Sequence, residues 1–174
     1  GWDEQPTAPF LFHLSRMSPS KNPQAIIGLA RLWPEMTFVL CGPPSVDAKQ
    51  LRDTVKLPNL QFHLGIDDAQ KAWAYAHCTG FLFPSLTEGF GLPPLEAMAS
   101  GVAVLSSATT AIPEVVGDAG LLVEPSAPEA VGQALLALVG NPPLRQRLAQ
   151  AGLQRARAYS WRACAERTLS ILQQ

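Results

Sequence analysis

The stretch Gly80-Phe81-Leu82-Phe83-Pro84-Ser85-Leu86-Thr87-Glu88-Gly89-Phe90-Gly91-Leu92-Pro93-Pro94-Leu95-Glu96-Ala97-Met98-Ala99-Ser100-Gly101 reads as a strand, a glycine loop and a helix in that order. Residues 80–83 are apolar and strand-length. Pro93 and Pro94 suit only the first turn of a helix, where backbone N–H groups have no helical partner. Gly101 supplies a C-terminal stop. Gly89, Phe90, Gly91 and Leu92 therefore fall at a helix N-terminus, at the carboxyl end of a strand.

The same alternation recurs outward in both directions. Strand-length runs bounded by turn residues occupy 10–14, 37–41, 60–64, 102–106 and 120–123. Segments of helical spacing fill 23–32, 45–55, 68–77 and 92–100, with a short turn at 112–116. Strand and helix in alternation predict an α/β fold, a Rossmann-like parallel β-sheet of about six strands with helices on both faces. Three further helices follow at 128–139, 143–158 and 161–172, the first placed between Ser126 and Gly140 as boundary residues. The six arginines of the last two read as a solvated face.

Length and composition narrow the possibilities. The 174 residues suit one domain, read as 10–174 after a linker at 1–9, and 47% hydrophobic residues suffice for a packed core. Thirteen basic against fourteen acidic residues leave no positive field for nucleic acid. Cys41, Cys78 and Cys164 are far apart and form no metal or redox spacing, so they read as reduced core thiols. With no apolar run of transmembrane length and no signal-like start, the expectation is a soluble, cytoplasmic chain without a transmembrane segment.

The glycine loop carries the chemistry. Ligands of open α/β sheets bind at the carboxyl ends of the strands, and glycines there let the backbone approach closely. Free N–H groups and the helix dipole favour an anion such as a diphosphate. Glu88 precedes the helix and Glu96 lies about one turn inside it, so a carboxylate flanks the anion position on each side. A carboxylate accepts two hydrogen bonds side by side, as a vicinal diol requires. A ribose at one end of a diphosphate and a hexose at the other fit that pattern, which describes a nucleotide sugar.

On these residues the sequence resembles the retaining GT-B glycosyltransferases that carry an E-x7-E signature, the glycosyl transferases group 1 family. Glu88 and Glu96 have the spacing, and Pro84-Ser85, Glu88-Gly89-Phe90-Gly91, Glu96-Ala97-Met98-Ala99 and Ile112-Pro113-Glu114-Val115-Val116-Gly117 look like that family's words. The resemblance covers roughly residues 10–139. It implies that the chain is the donor-binding half of a GT-B fold. Glu88 would hold hydroxyls of the donor sugar, Glu96 the ribose, and Gly89, Phe90, Gly91 and Leu92 would meet sugar and phosphate through their amides. In the loop Ser15-Arg16-Met17-Ser18-Pro19-Ser20-Lys21-Asn22, Arg16 and Lys21 match the cations that grip the diphosphate, with Ser15 where a glycine is common. Ile66 becomes a candidate wall for the base.

The resemblance further implies a nucleoside-diphosphate sugar as partner, leaning to UDP-glucose or another UDP-sugar by family frequency. It implies an N-terminal acceptor-binding domain outside these 174 residues, through which peripheral membrane association could arise, and little or no turnover by this chain alone. Glu88 is the one catalytic candidate. No D-x-D motif occurs, so no metal and no other cofactor is expected; cations and a helix N-terminus neutralise a leaving diphosphate instead. Rival readings are a non-catalytic nucleotide-sugar-binding module and a GT-B sugar-nucleotide epimerase. A nicotinamide dehydrogenase is disfavoured, because no G-x-G-x-x-G follows the first strand. Singly, each site residue reads more simply as a surface acid or loop cation; their joint occurrence in matching βα loops argues for a site. Phe90 reads as packing under its loop, Trp33, Trp73 and Trp161 as packing residues, Glu114 as a turn residue, and His13, His63 and His77 as core or boundary side chains.

Overall fold

The computed structural model describes Trp2, Gln5, Pro6 and residues 9–173. Six strands, β1 (Phe10–Leu14), β2 (Thr37–Gly42), β3 (Leu60–Leu64), β4 (Gly80–Phe83), β5 (Val104–Ser107) and β6 (Gly120–Val123), form one sheet in the order β3-β2-β1-β4-β5-β6. Every pairing is parallel. Such a sheet needs cover on both faces, which is why its central strands are mostly apolar and not alternating.

Helices α1 (Pro23–Leu32), α2 (Val46–Thr54) and α6 (Pro128–Gly140) bury one face around Leu11, Ile26, Leu40, Leu82, Leu105 and Leu135. Helices α3 (Asp68–His77), α4 (Leu92–Ala99) and α5 (Ile112–Val116) bury the other around Phe10, Phe12, Tyr75, Phe81, Phe83 and Met98. Helix α7 (Pro142–Ala156) lies against α4, where a Cβ on Gly152 would come within 3.1 Å of Met98. Helix α8 (Trp161–Leu172) has no buried residue.

The winding reverses between β1 and β4, which are neighbours in the sheet. In doubly wound sheets the loops that leave the carboxyl ends at such a reversal form the usual ligand site. Those loops are residues 15–22 and 84–91, the two segments that hold Arg16, Lys21 and Glu88.

Several local expectations are corrected. The fifth strand begins at Val104 and not at 102, because the Val102 N–H bonds back to Ala97 O at 3.0 Å and closes α4. Ser126 does not cap α6; its hydroxyl donates to Glu124, and Ala127 takes the cap position. Cys164 is exposed, so it is no core thiol. Trp161 is 81% exposed and packs little. Two of the arginines are structural and not merely solvated: Arg155 donates to the carbonyls of Val115 and Glu114 at 2.6 Å each, and Arg145 donates to those of Leu138 and Val139. Cations on the last carbonyls of a helix satisfy groups that the helix itself leaves open. Trp2 sets its ring edge-on against His63 and Trp73, at 4.5 and 5.9 Å. Among the described residues, no helix is long and apolar enough to cross a membrane.

Candidate functional site

Lys21 and Glu88 meet between these two loops. Lys21 Nζ lies 2.5 Å from Glu88 Oε1, joining the loops that leave β1 and β4. The Glu88 side chain is only 10% exposed, so its charge needs this partner and the further hydrogen bond that Ser85 Oγ donates to the same oxygen at 2.8 Å. An ammonium group has three donors, so Lys21 retains capacity for a ligand after serving Glu88. The loops are also joined through the backbone, since Leu86 N donates to Ser20 O at 2.8 Å. The loop after β5 supports the loop of Glu88: Thr110 Oγ1 accepts from Glu88 N at 3.0 Å, and Thr109 Oγ1 donates to Leu86 O at 3.3 Å.

Arg16 shares the loop of Lys21, and its side chain is exposed with no ion pair among the described residues. Its backbone is held, because Ser45 Oγ donates to Arg16 O at 2.8 Å. Glu96 stands in the second turn of α4, where Tyr75 donates its hydroxyl to Oε2 at 3.2 Å and Lys71 Nζ lies 3.8 Å from Oε1. Burial, followed by the charge of Glu96, pushes the Tyr75 hydroxyl far up, so it remains a neutral phenol and a donor. Half-exposed, Glu96 keeps lone pairs open towards solvent.

Between the two carboxylates, the N–H groups of Gly89, Phe90 and Gly91 have no hydrogen-bond partner among the described residues. Pro93 and Pro94 lack N–H groups, so the open donors at this helix end belong to the loop and the first helical residue more than to the helix turn. Gly91 is demanded by the fold: its φ is +107°, and a Cβ there would lie 2.6 Å from Ile112 Cδ1. Gly89 is not, since its φ is ordinary and the space around it is open. Gly91→Ala is therefore expected to lower unfolding free energy by about 1–3 kcal/mol. Gly89→Ala changes it by less than about 0.5 kcal/mol. Urea titrations of both variants check this, and equal losses would contradict it.

Residues 2–155 match the family described as Glycosyl transferases group 1. This chain belongs to that family. Among relatives of the glycosyl transferases group 1 chain is the Escherichia coli O-antigen chain mannosyltransferase B, 32% identical over 170 residues, spanning 92% of this chain and 45% of that protein. The Mycobacterium tuberculosis alpha-maltose-1-phosphate synthase is 31% identical over 188 residues, spanning 95% of this chain and 48% of its own length. The chain thus spans about half the length of the curated relatives it matches. Among solved structures, the sucrose-phosphate synthase of Thermosynechococcus elongatus superposes with a TM-score of 0.84 at 24% identity, covering 95% of this chain and 45% of that one. The fold is that of one half of a GT-B glycosyltransferase.

Within this group 1 domain, the structure brings together Lys21, Glu88 and the 89–92 loop, and sets Glu96 one turn along α4. Ile66 follows Gly65, whose φ is +76°, and is half-buried against the core below α3. Phe90 does not tuck under its loop; it is 42% exposed, its ring edge-on to Tyr159 at 5.9 Å. Leu92 is exposed as well. Sequence reading assigned no part in the site to Lys71, Tyr75, Ser85 and Thr110. Ser85 lies three residues before Glu88, and Lys71 and Tyr75 share a helix face at i, i+4; these spacings are the local signals by which those three could have been found.

Proposed function

We propose that this domain binds a nucleoside-diphosphate hexose and, in the longer protein, presents its anomeric carbon to an acceptor held by a preceding α/β domain, with retention of configuration. One observation carries the proposal: the Lys21 and Glu88 side chains, 2.5 Å apart, sit at the sheet's switch point beside a loop of unpartnered amides. Arg16, Lys21 and the Gly89, Phe90, Gly91 and Leu92 backbone would receive the diphosphate. Preorganised cations and amides stabilise charge as it develops on a leaving group, with no divalent metal required. Glu96 would accept the ribose hydroxyls, oriented by Tyr75 and Lys71. Glu88 would orient the sugar hydroxyls and is the one catalytic candidate, while Ile66 would border the base. The name of the E. coli relative favours a mannosyl donor, whereas family frequency favours a UDP-sugar such as UDP-glucose. The free cysteines fit a reducing, cytoplasmic setting.

Calorimetric titration of the chain with UDP-glucose, GDP-mannose and ADP-glucose, each alongside its free nucleoside diphosphate and with EDTA present, tests the proposal. One series is expected to bind. Glu96→Ala should weaken nucleotide and nucleotide sugar alike by about tenfold, a loss of about 1.4 kcal/mol. Glu88→Ala should weaken the sugar nucleotide and spare the free nucleotide. Binding by both variants that matches the parent in every titration would end these assignments.

A further inference from the structure

His13 and Ser15 stand behind the Arg16 loop, and neither has a part in the site as described above. His13 is 1% exposed near the carboxyl end of β1. Its Nδ1 lies 2.9 Å from Leu82 O, and a carbonyl only accepts, so Nδ1 carries the proton. The ring stays neutral, because burial holds it down at about 4, and Nε2 is therefore an acceptor. Ser15 Oγ lies 2.6 Å from Nε2 and must donate to it. That commits the hydroxyl proton inward and turns the oxygen lone pairs to the Met17 N–H, which donates to Ser15 Oγ at 2.9 Å.

The chain is strained where this relay ends. Met17 adopts φ +57°, a left-handed conformation that side chains other than glycine, asparagine and aspartate seldom take. The backbone on either side of Arg16 is thus held in place by Ser15 N to Cys41 O at 3.0 Å, by Ser45 Oγ to Arg16 O at 2.8 Å, and by the His13–Ser15–Met17 relay. Only the guanidinium of Arg16 is left without a partner among the described residues. A fixed backbone carrying one free cation is the arrangement expected where a ligand anion completes the set.

We propose that His13 and Ser15 are a positioning pair, anchored on β4 through Leu82, that sets Arg16 for the donor diphosphate. Neither touches the ligand; they act through the Met17 turn. The proposal rests on the donor reading given above, and the experiment separates the two. Calorimetry of the chain with UDP and GDP, and with the matching nucleoside monophosphates, is run on the parent, Ser15→Ala, Ser15→Thr, His13→Asn and the Ser15→Ala/His13→Asn double variant. His13→Asn keeps a donor for Leu82 but removes the Nε2 that accepts from Ser15, a position the shorter amide side chain does not reach.

Ser15→Ala and His13→Asn are each expected to weaken the nucleoside diphosphate about tenfold and the monophosphate by less than threefold. The double variant should be no worse than either single one, because the pair acts as one unit, and Ser15→Thr should restore binding by returning the hydroxyl. A purely structural role would lower unfolding stability and leave the diphosphate-to-monophosphate ratio unchanged. If the parent binds and Ser15→Ala binds equally well, the positioning role is overturned and the donor reading stands. If the parent binds no nucleotide, both fall. Should His13→Asn fail to fold, Ser15→Ala and Ser15→Thr decide between them.

Discussion

Gly42→Ala is expected to be the most damaging single methyl in this domain. A Cβ at Gly42 would lie 1.8 Å from the carbonyl oxygen of Ser15 and 3.0 Å from its carbon, where ordinary contact begins at 3.4 Å. The obstructing atoms are backbone, so no rotamer relieves the overlap. Ser15 is also tied to the same strand by its N–H to Cys41 O, and cannot retreat without breaking a ladder bond. The loss is expected at about 3 kcal/mol or more, the upper end for overpacking. Ser15 moving away from β2 would carry Arg16 with it. Urea unfolding should therefore show a lowered midpoint, and the surviving folded fraction should have lost nucleoside-diphosphate affinity. Parent-like stability would mean that the close approach of β2 to the Arg16 loop is not a feature of the folded protein.

The second large effect is acid sensitivity centred on His13. Burial first, with the nearby charge of Lys21 adding to it, lowers this imidazole from 6.5 to about 4, against the opposing hydrogen bond to Leu82. The unfolded chain protonates His13 near pH 6.5, whereas the folded chain resists until about pH 4. Between those values the unfolded state binds the extra proton, so stability is fully present above pH 6.5 and drains away as pH falls. Each pH unit is worth about 1.4 kcal/mol, which makes the total about 3 kcal/mol. The carboxylates titrate in parent and variant alike. His13→Asn should therefore be less stable than the parent at pH 7 and approach it near pH 4.5, measured by urea titration at both values. A constant gap would show that the buried ring does not carry the linkage.

Both effects converge on one short loop, and its neighbours explain why. Among the described residues, the three non-glycine ones with left-handed backbone, Met17 at φ +57°, Asn22 at +51° and Thr110 at +53°, all lie in loops that border Glu88. Each is restrained by a hydrogen bond: Met17 N to Ser15 Oγ, Asn22 Nδ2 to Pro125 O, and Thr110 Oγ1 from Glu88 N. Strained conformers persist where surrounding structure over-determines them, and they gather at ligand sites.

Most of what depends on residues close in sequence was legible there, the start of β5 and the cap of α6 excepted. The β4–α4 unit could be read from an apolar run, two prolines and a closing glycine, because strand length, helix start and helix stop are local preferences. The spacing of Glu88 and Glu96 was legible for the same reason. The alternation of runs along the chain implied a parallel sheet, since parallel strands need helical crossovers.

Tertiary structure alone decided what joins distant residues. His13 reaches Leu82 across 69 positions, Lys21 reaches Glu88 across 67, Tyr75 reaches Glu96 across 21, and Arg155 closes α5 from 40 positions away. No local pattern marks such partners, because a buried imidazole and a packed one look alike in sequence until the strand order is set. The sequence by itself determined the βα units and the acids and cations they carry. Which loops meet at the switch point, and which polar groups hold them there, followed only from setting β1 beside β4.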